Sequence, residues 1–353
     1  MKKKLVFTLV LLAVVIISVN AQYNPESDFT VTRNSDGVSV TITGYVGTSQ
    51  SVNIPPTYRG LSVTAIGGGA FAEKRLTSVI IPNSITSIGS MAFNQNRLTS
   101  VTIGSGVTTI RVSAFAGNQL TSITIPNSVI TIENRVFADN RLTSITIPNS
   151  VTTIGDGVFD GNPNLAAINV SSSNINYSSI EGVLYNKNLT TLIRWPAGKQ
   201  GAVVIPNSVT TIGGSAFSGN QLTSITIPNS VTTIGGSAFS RNQLTSITIP
   251  NSVTTIGDYA FSSNQLTSIT IPNSVTTIGD GAFLGNQLTN IIIPNSVTTI
   301  GDYTFTGNPI RSVTIGSNVD IGTNFPNGFA EFYNSIGKKA GTYDDNGRTW
   351  AEW

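Results

Sequence analysis

The chain of 353 residues has no cysteine and no histidine, and only 10% of its residues are charged. About 25% is usual for a globular protein. Each absence excludes a chemistry. Without histidine, neither a Ser-His-Asp nor a Cys-His nucleophile system can be assembled. Without thiolate or imidazole, structural zinc is excluded, and a metal ion would have to be held by oxygen alone. Without cysteine, no disulfide can brace the fold, even outside the cell. Helical apolar periodicity is missing over any useful length. Glycine (34) and proline (15) are frequent enough to punctuate the chain with turns.

The first residues form a targeting pattern. Lys2, Lys3 and Lys4 precede an apolar run, 5–19, and Val19-Asn20-Ala21 offers small residues at the two cleavage-determining positions. This is a secretory signal peptide over residues 1–21, cleaved after Ala21. The run falls short of the roughly 20 apolar residues that a span requires, so no membrane span is expected after cleavage. Loss of three lysines leaves 16 of the 19 basic residues against 17 acidic ones, a net charge of −1 in place of +2. A nucleic-acid footprint needs a basic surface, so no nucleic-acid partner is expected.

Self-similarity dominates the rest. Leu-Thr-Ser-Ile-Thr-Ile-Pro-Asn-Ser recurs intact from Leu120, Leu142, Leu222, Leu244 and Leu266. Phenylalanine recurs at one constant step, at Phe71, Phe93, Phe115, Phe137 and Phe159, then at Phe217, Phe239, Phe261, Phe283 and Phe305. The gap from Phe159 to Phe217 is longer than two such steps and parts the array into two blocks. Ten phenylalanines imply ten units. Within a unit, Thr121-Ser122-Ile123-Thr124-Ile125 is β-branched and alternating, which suits a half-buried strand. Pro126 lacks an N–H and ends it. Asn127-Ser128 is turn chemistry, and a second short extended piece follows from Val129 to Ile132. One such unit cannot bury a core alone. Stacked as coils about 4.8 Å apart, equivalent residues form columns. Leu120, Ile123, Ile125, Val129, Ile132 and Phe137 are one coil's share of the core, with phenylalanine opposite the sheet.

These residues carry a resemblance. Leu120-Thr-Ser-Ile-Thr-Ile125 fits the L-x-x-L-x-L core of leucine-rich repeats. Pro126-Asn127-Ser128 and the later Ile-Gly-x-x-Ala-Phe make residues 54–322 similar to the BspA-type class, which occurs on bacterial and protozoan surface proteins. The resemblance implies a repeat solenoid: a right-handed leucine-rich-repeat coil with a parallel β-sheet on the concave face, little helix and both ends capped. Two features depart from the class. Its coils commonly run one residue longer. Asn118, Asn140, Asn220, Asn242, Asn264 and Asn286 stand where many members place a buried cysteine. An asparagine column is expected to hydrogen-bond to neighbouring coil backbones.

The organisation follows. After residues 1–21 comes an N-terminal hairpin cap, 22–53, in which Asn34-Ser-Asp-Gly37 joins two alternating runs. Repeats fill 54–170 and 206–321. Between them, 171–205 reads as an irregular longer coil, either purely structural or a protruding landmark for a partner through Tyr177, Tyr185, Arg194 and Trp195. Residues 322–353 form an aromatic-rich C-terminal cap with Phe325, Phe329, Phe332, Tyr333, Tyr343, Trp350 and Trp353. This tail resembles those of spirochaete repeat proteins.

Chemistry is scarce. Asp258, Asp280 and Asp302 share one repeat position and stack as like charges, as solvated turn carboxylates or around calcium. Asp344-Asp345-Asn346-Gly347 lacks the distal glutamate of a calcium loop. A glycosidase needs two opposed carboxylates, and nothing in the sequence sets any two of Glu133, Asp139, Asp156, Asp160 and Glu181 across a cleft. No catalytic site, metal or cofactor is expected. The sheet face is the informative surface. Outward positions give columns of Ser122, Ser144, Ser224, Ser246 and Ser268, and of Thr124, Thr146, Thr226, Thr248 and Thr270. A flat hydroxyl-rich face suits many weak contacts along an extended partner. The family resemblance implies a surface adhesin that contacts host matrix, plasma or cell-surface proteins. Two alternatives stand beside it: a structural or assembly protein of the periplasm or envelope, and glycan or ice-surface recognition by the threonine ladder.

Overall fold

The computed structural model describes residues 22–345 and 350–352. Residues 1–21, where a signal peptide is expected, residues 346–349 and Trp353 lie outside them. The described chain is a stack of coils held together by parallel strand pairs. The most regular ladder is the Thr-Ile pair at the end of each coil. Ser87 pairs with Thr109, Thr109 with Thr131 and Thr131 with Thr153. In the second block Thr211, Thr233, Thr255, Thr277 and Thr299 continue the pattern. Ile110, Ile132, Ile212 and Ile234 point inward and are fully buried. The preceding threonines stitch coils together: the Thr108 hydroxyl donates to the Thr86 carbonyl at 3.1 Å and that of Thr232 to Thr210 at 3.2 Å.

The Ser-Ile-Thr-Ile stretch is the stronger strand candidate in the sequence, yet it pairs less regularly. Full strands occur there at Ser78–Ile80 with Ser100–Thr102, Ser144–Ile147 with Ala167–Val170, and Asn290–Ile292 with Ser312–Ile315. Elsewhere contact thins to the isolated bridge between Thr248 and Thr270. The following proline offers no N–H to the next rung. The Thr-Ile pair is followed in most coils by glycine, whose N–H continues the ladder, as from Gly235 to the Ile212 carbonyl at 2.8 Å.

Opposite the strands, phenylalanines stack. Phe93 and Phe115 have ring centroids 5.2 Å apart and lie 3° from parallel, and Phe239 and Phe261 are 5.3 Å and 7°. Beside each ring an asparagine ties two coils. The Asn118 amide nitrogen donates to the Phe93 and Phe115 carbonyls at 3.0 Å each, and its oxygen accepts the Leu98 N–H at 3.0 Å. Asn140, Asn242, Asn264 and Asn286 repeat the pattern. These buried amides leave no polar atom to react, and they satisfy backbone groups that stacking would otherwise orphan. The ten phenylalanines are not the whole column. Tyr45, Trp195 and Phe325 extend it to thirteen rings, contacting Phe71, Phe217 and Phe305. Trp195 sits one repeat step before Phe217, in register with the second block.

The long coil between Phe159 and Trp195 holds an antiparallel meander, Tyr177–Ile180, Val183–Asn186 and Thr191–Arg194. Its last strand pairs in parallel with Thr211–Ile212, so the second ladder starts from it. The middle strand divides the core. Leu184 packs with the first block, while Val183 and Tyr185 pack with the second, as the alternation of a strand dictates.

Both ends are closed. Phe29–Arg33 and Ser39–Tyr45 form an antiparallel hairpin whose second strand pairs in parallel with Leu61–Ile66. At the other end, Gly341–Asp345 pairs antiparallel with Ser312–Ile315, and Trp350–Glu352 pairs with it in turn. These strands cover an edge that would otherwise template aggregation. A short helix, Phe329–Ser335, places Phe329 against Phe325, Tyr333, Tyr343 and Trp350. Among the described residues no helix is long and apolar enough to cross a membrane.

Candidate binding face

The Ser-Ile-Thr-Ile stretch alternates in burial as well as in sequence. Ile123, Ile145, Ile247 and Ile269 point inward, while Ser122, Thr124, Ser144, Thr146, Ser224, Thr226, Ser246, Thr248, Ser268 and Thr270 are all exposed. The fold lines up four of these in the first block and six in the second. Between the two sets the rows pass through Ala167 and Asn169, which pair with Ser144 and Thr146, and through Ala202 and Val204, one repeat step before Ser224 and Thr226. Their hydroxyls are unlike those of the other threonines. Thr86, Thr108, Thr232 and Thr254 donate back to a carbonyl of the preceding coil. Among the described residues, none of the ten row hydroxyls has a protein partner.

Surface relief concentrates on the same flank. A shallow open hollow of about 900 Å³ is lined by Tyr23, Ile80, Pro82, Asn83 and Thr102. Others lie against Ser122, Thr124, Pro126 and Thr146, against Thr226 and Pro228, and against Thr270, Pro272 and Pro294. They are shallow because stacked coils leave ridges rather than cavities. The rows also carry residues that sequence reasoning passes over. Ile80 and Ile292 occupy the Thr124 position in other coils and are 39% and 64% exposed. Counting one further period from Thr102 and Thr270 finds both.

The landmark residues do not form a surface. Tyr185, Arg194 and Trp195 are buried, at 2%, 3% and 5% exposure. Trp195 completes the ring column. Tyr177 is half-buried: its hydroxyl accepts the Ile154 N–H at 2.9 Å and donates to the Thr152 carbonyl at 3.2 Å. Burial raises its pKa, and that of Tyr185. Arg194 joins the blocks. It donates to Asp160 at 2.6 Å and to the Ser218 carbonyl at 3.2 Å. Burial pushes the Asp160 carboxyl up and the Arg194 guanidinium down, so desolvation outweighs the attraction between them.

Most of the other candidate acids are engaged one by one within the stack. Asp258 accepts the Asp280 N–H at 3.0 Å, Asp280 that of Asp302 at 2.8 Å, and Asp302 that of Thr323 at 2.6 Å. Each carboxylate therefore caps the next coil. Glu133 accepts the Val112 N–H at 3.0 Å, and Asp139 pairs with Arg135 at 3.1 Å. Among the described residues no group of acids is arranged to hold a metal ion.

The columns, the paired ladder and the asparagine ties define a leucine-rich-repeat β-solenoid. The chain belongs to the BspA type leucine rich repeat family, whose sequence profile matches residues 64–190 and 199–325 in six copies. It is similar to a leucine-rich repeat protein from Eubacterium ventriosum, with 27% identity and a TM-score of 0.59 over 86% of this chain and 96% of that one. It is also similar to a leucine rich cell surface protein from Faecalibacterium prausnitzii, at 29% identity and a TM-score of 0.54 over 91% and 98%. The pneumococcal vaccine antigen PcpA shares the fold at 23% identity, with a TM-score of 0.55 over 83% and 82%. No curated protein matches the chain.

Proposed function

We propose that the chain is an exported binding protein held at the bacterial cell surface, an adhesin that contacts a host matrix, plasma or cell-surface protein through its Ser/Thr face. The observation that carries this reading is the pair of rows whose hydroxyls the fold leaves unused. Ten donors and acceptors repeat at the coil spacing on the flank that also holds the shallow hollows. Each contact is weak, and an extended partner engages many at once. The Faecalibacterium relative is described as a cell surface protein, and the basic-apolar start of this sequence fits export. The row hydroxyls have no hydrogen-bonded base to activate them as nucleophiles, which favours binding over catalysis as their use.

The test is saturable binding of the purified chain to immobilised plasma and matrix proteins, with and without a chelator. Binding that survives the chelator and is lost in the combined Thr124→Glu, Thr146→Glu, Thr248→Glu variant supports the reading. These positions are exposed, so an unchanged thermal melt shows that the variant is folded. Undiminished binding by that variant, or no binding to any protein target, overturns it.

A further inference from the structure

The two blocks share a backbone and differ in charge. Residues 54–170 hold seven basic and five acidic side chains, while residues 206–321 hold two and four. Much of the difference falls on one position of the coil, the residue just before the strand leucine. In the first block it is Arg75, Arg97, Gln119 and Arg141 and, in its last coil, Asn164; in the second it is Gln221, Gln243, Gln265 and Gln287 and, in its last coil, Pro309. The backbone fixes their register. The Arg97 N–H donates to the Leu76 carbonyl and the Arg141 N–H to that of Leu120, both at 2.9 Å, as Gln243 does to Leu222 at 2.8 Å.

The three arginines are exposed, and none enters an ion pair among the described residues. Asp139, close to Arg141 in the chain, is held by Arg135. Arg75 also sits at a φ of 58°, which an arginine disfavours. Like charges stacked about one strand spacing apart repel. Glutamine at the same position in four coils of the second block shows that the coil does not need the charge.

We propose that this row, with the serine and threonine rows beside it, binds an extended anionic polysaccharide, sulfated or carboxylated, laid along the stack. The inference rests on the Ser/Thr face being the contact surface, and adds a ligand of its own. Charge complementarity selects a polyanion, and guanidinium forks match sulfate and carboxylate oxygens. The unused hydroxyls beside the row suit sugar hydroxyls. A single-stranded nucleic acid would want aromatic platforms for its bases, and the outward positions beside the row, Ser78, Ser100, Ser122 and Ser144, are not aromatic.

The experiment is retention of the full chain on immobilised heparin across a salt gradient. The chain is retained at physiological salt, and Arg75→Gln with Arg97→Gln and Arg141→Gln weakens binding roughly tenfold, as expected for three exposed, screened charges. Glutamine already fills this position in five coils, so the variant folds. Adding Gln243→Arg, Gln265→Arg and Gln287→Arg to it restores retention. No retention of the parent chain, equal retention of the triple-glutamine variant, or displacement by duplex or single-stranded DNA at lower concentration than by free heparin overturns the proposal. Protein binding in the preceding experiment is unaffected by the glutamines, so the two readings fail separately.

Discussion

The two repeat blocks run the same backbone with different fidelity. In the second, units are near-copies, and the rings from Phe217 to Phe305 stack at 5.2 to 5.5 Å and 6° to 7°. In the first, outward positions vary, and spacings from Phe71 to Phe159 spread from 4.9 to 6.3 Å with tilts of 3° to 19°. Both blocks nevertheless bury every phenylalanine and bond through the same asparagine column. Inward residues fix the coil. Outward residues are free to vary, and that freedom is where the blocks acquire different surfaces.

The largest test of this equivalence is in the core. Phe115→Ala and Phe239→Ala should each cost about 3–5 kcal/mol in denaturant unfolding. Because the core divides at the middle meander strand, the two losses should add. A much smaller loss in the first block would show that its looser stack has room to collapse. Next comes the joint. Arg194→Ala leaves the largely buried Asp160 with only the longer contact to Arg135 at 3.9 Å, and should cost about 3 kcal/mol. Calorimetry should then show the blocks melting in two steps, and a single cooperative step would contradict a joint built on Arg194.

The asparagine column sharpens the comparison further. Asn242→Ala orphans the Leu222 N–H and the Phe217 carbonyl, while the Phe239 carbonyl keeps the Asn264 amide, and should cost about 1–3 kcal/mol by urea titration. Asn220 begins the second block, and its side-chain oxygen has no partner. Where the other asparagines meet a strand leucine of the preceding coil, Asn220 has Gln200 of the enlarged coil at that spacing. Asn220→Ala should therefore cost less than Asn242→Ala. The smallest effect is one of pH. Asp160 has its pKa raised by burial, so the folded chain keeps that proton to higher pH than the unfolded chain does. Its contribution is unchanged below the ordinary carboxylate value and falls as pH rises to the raised one. Melting temperature across that window should decline more in the parent than in Asp160→Asn.

Much of the coil is legible because its signal repeats. Inward Leu120, Ile123, Ile125 and Phe137 follow from period and apolar type, and the asparagine ties follow from a polar residue held in a buried column. Strand strength is less legible, because β-branched composition favours Ser-Ile-Thr-Ile while the proline after it removes a rung. The helix at Phe329–Ser335 is too short to stand out, although Phe329, Phe332 and Tyr333 have the spacing of one helical face. Residue type alone makes Trp195 and Arg194 surface anchors. Their burial is a matter of register: Trp195 lies one repeat step before Phe217, which places tryptophan in the ring column and arginine in the adjoining alanine position. The exposed rows are legible from alternation alone, whereas their unused hydroxyls require the hydrogen-bond pattern of every neighbouring coil.

The central claim is that these rows face a partner outside the cell. Protease treatment of intact cells, followed with an antibody to the repeats, tests it most directly. The account predicts that the repeat signal is lost from unbroken cells. Protection until the envelope is opened would contradict it and leave the solenoid as a structural element of the periplasm.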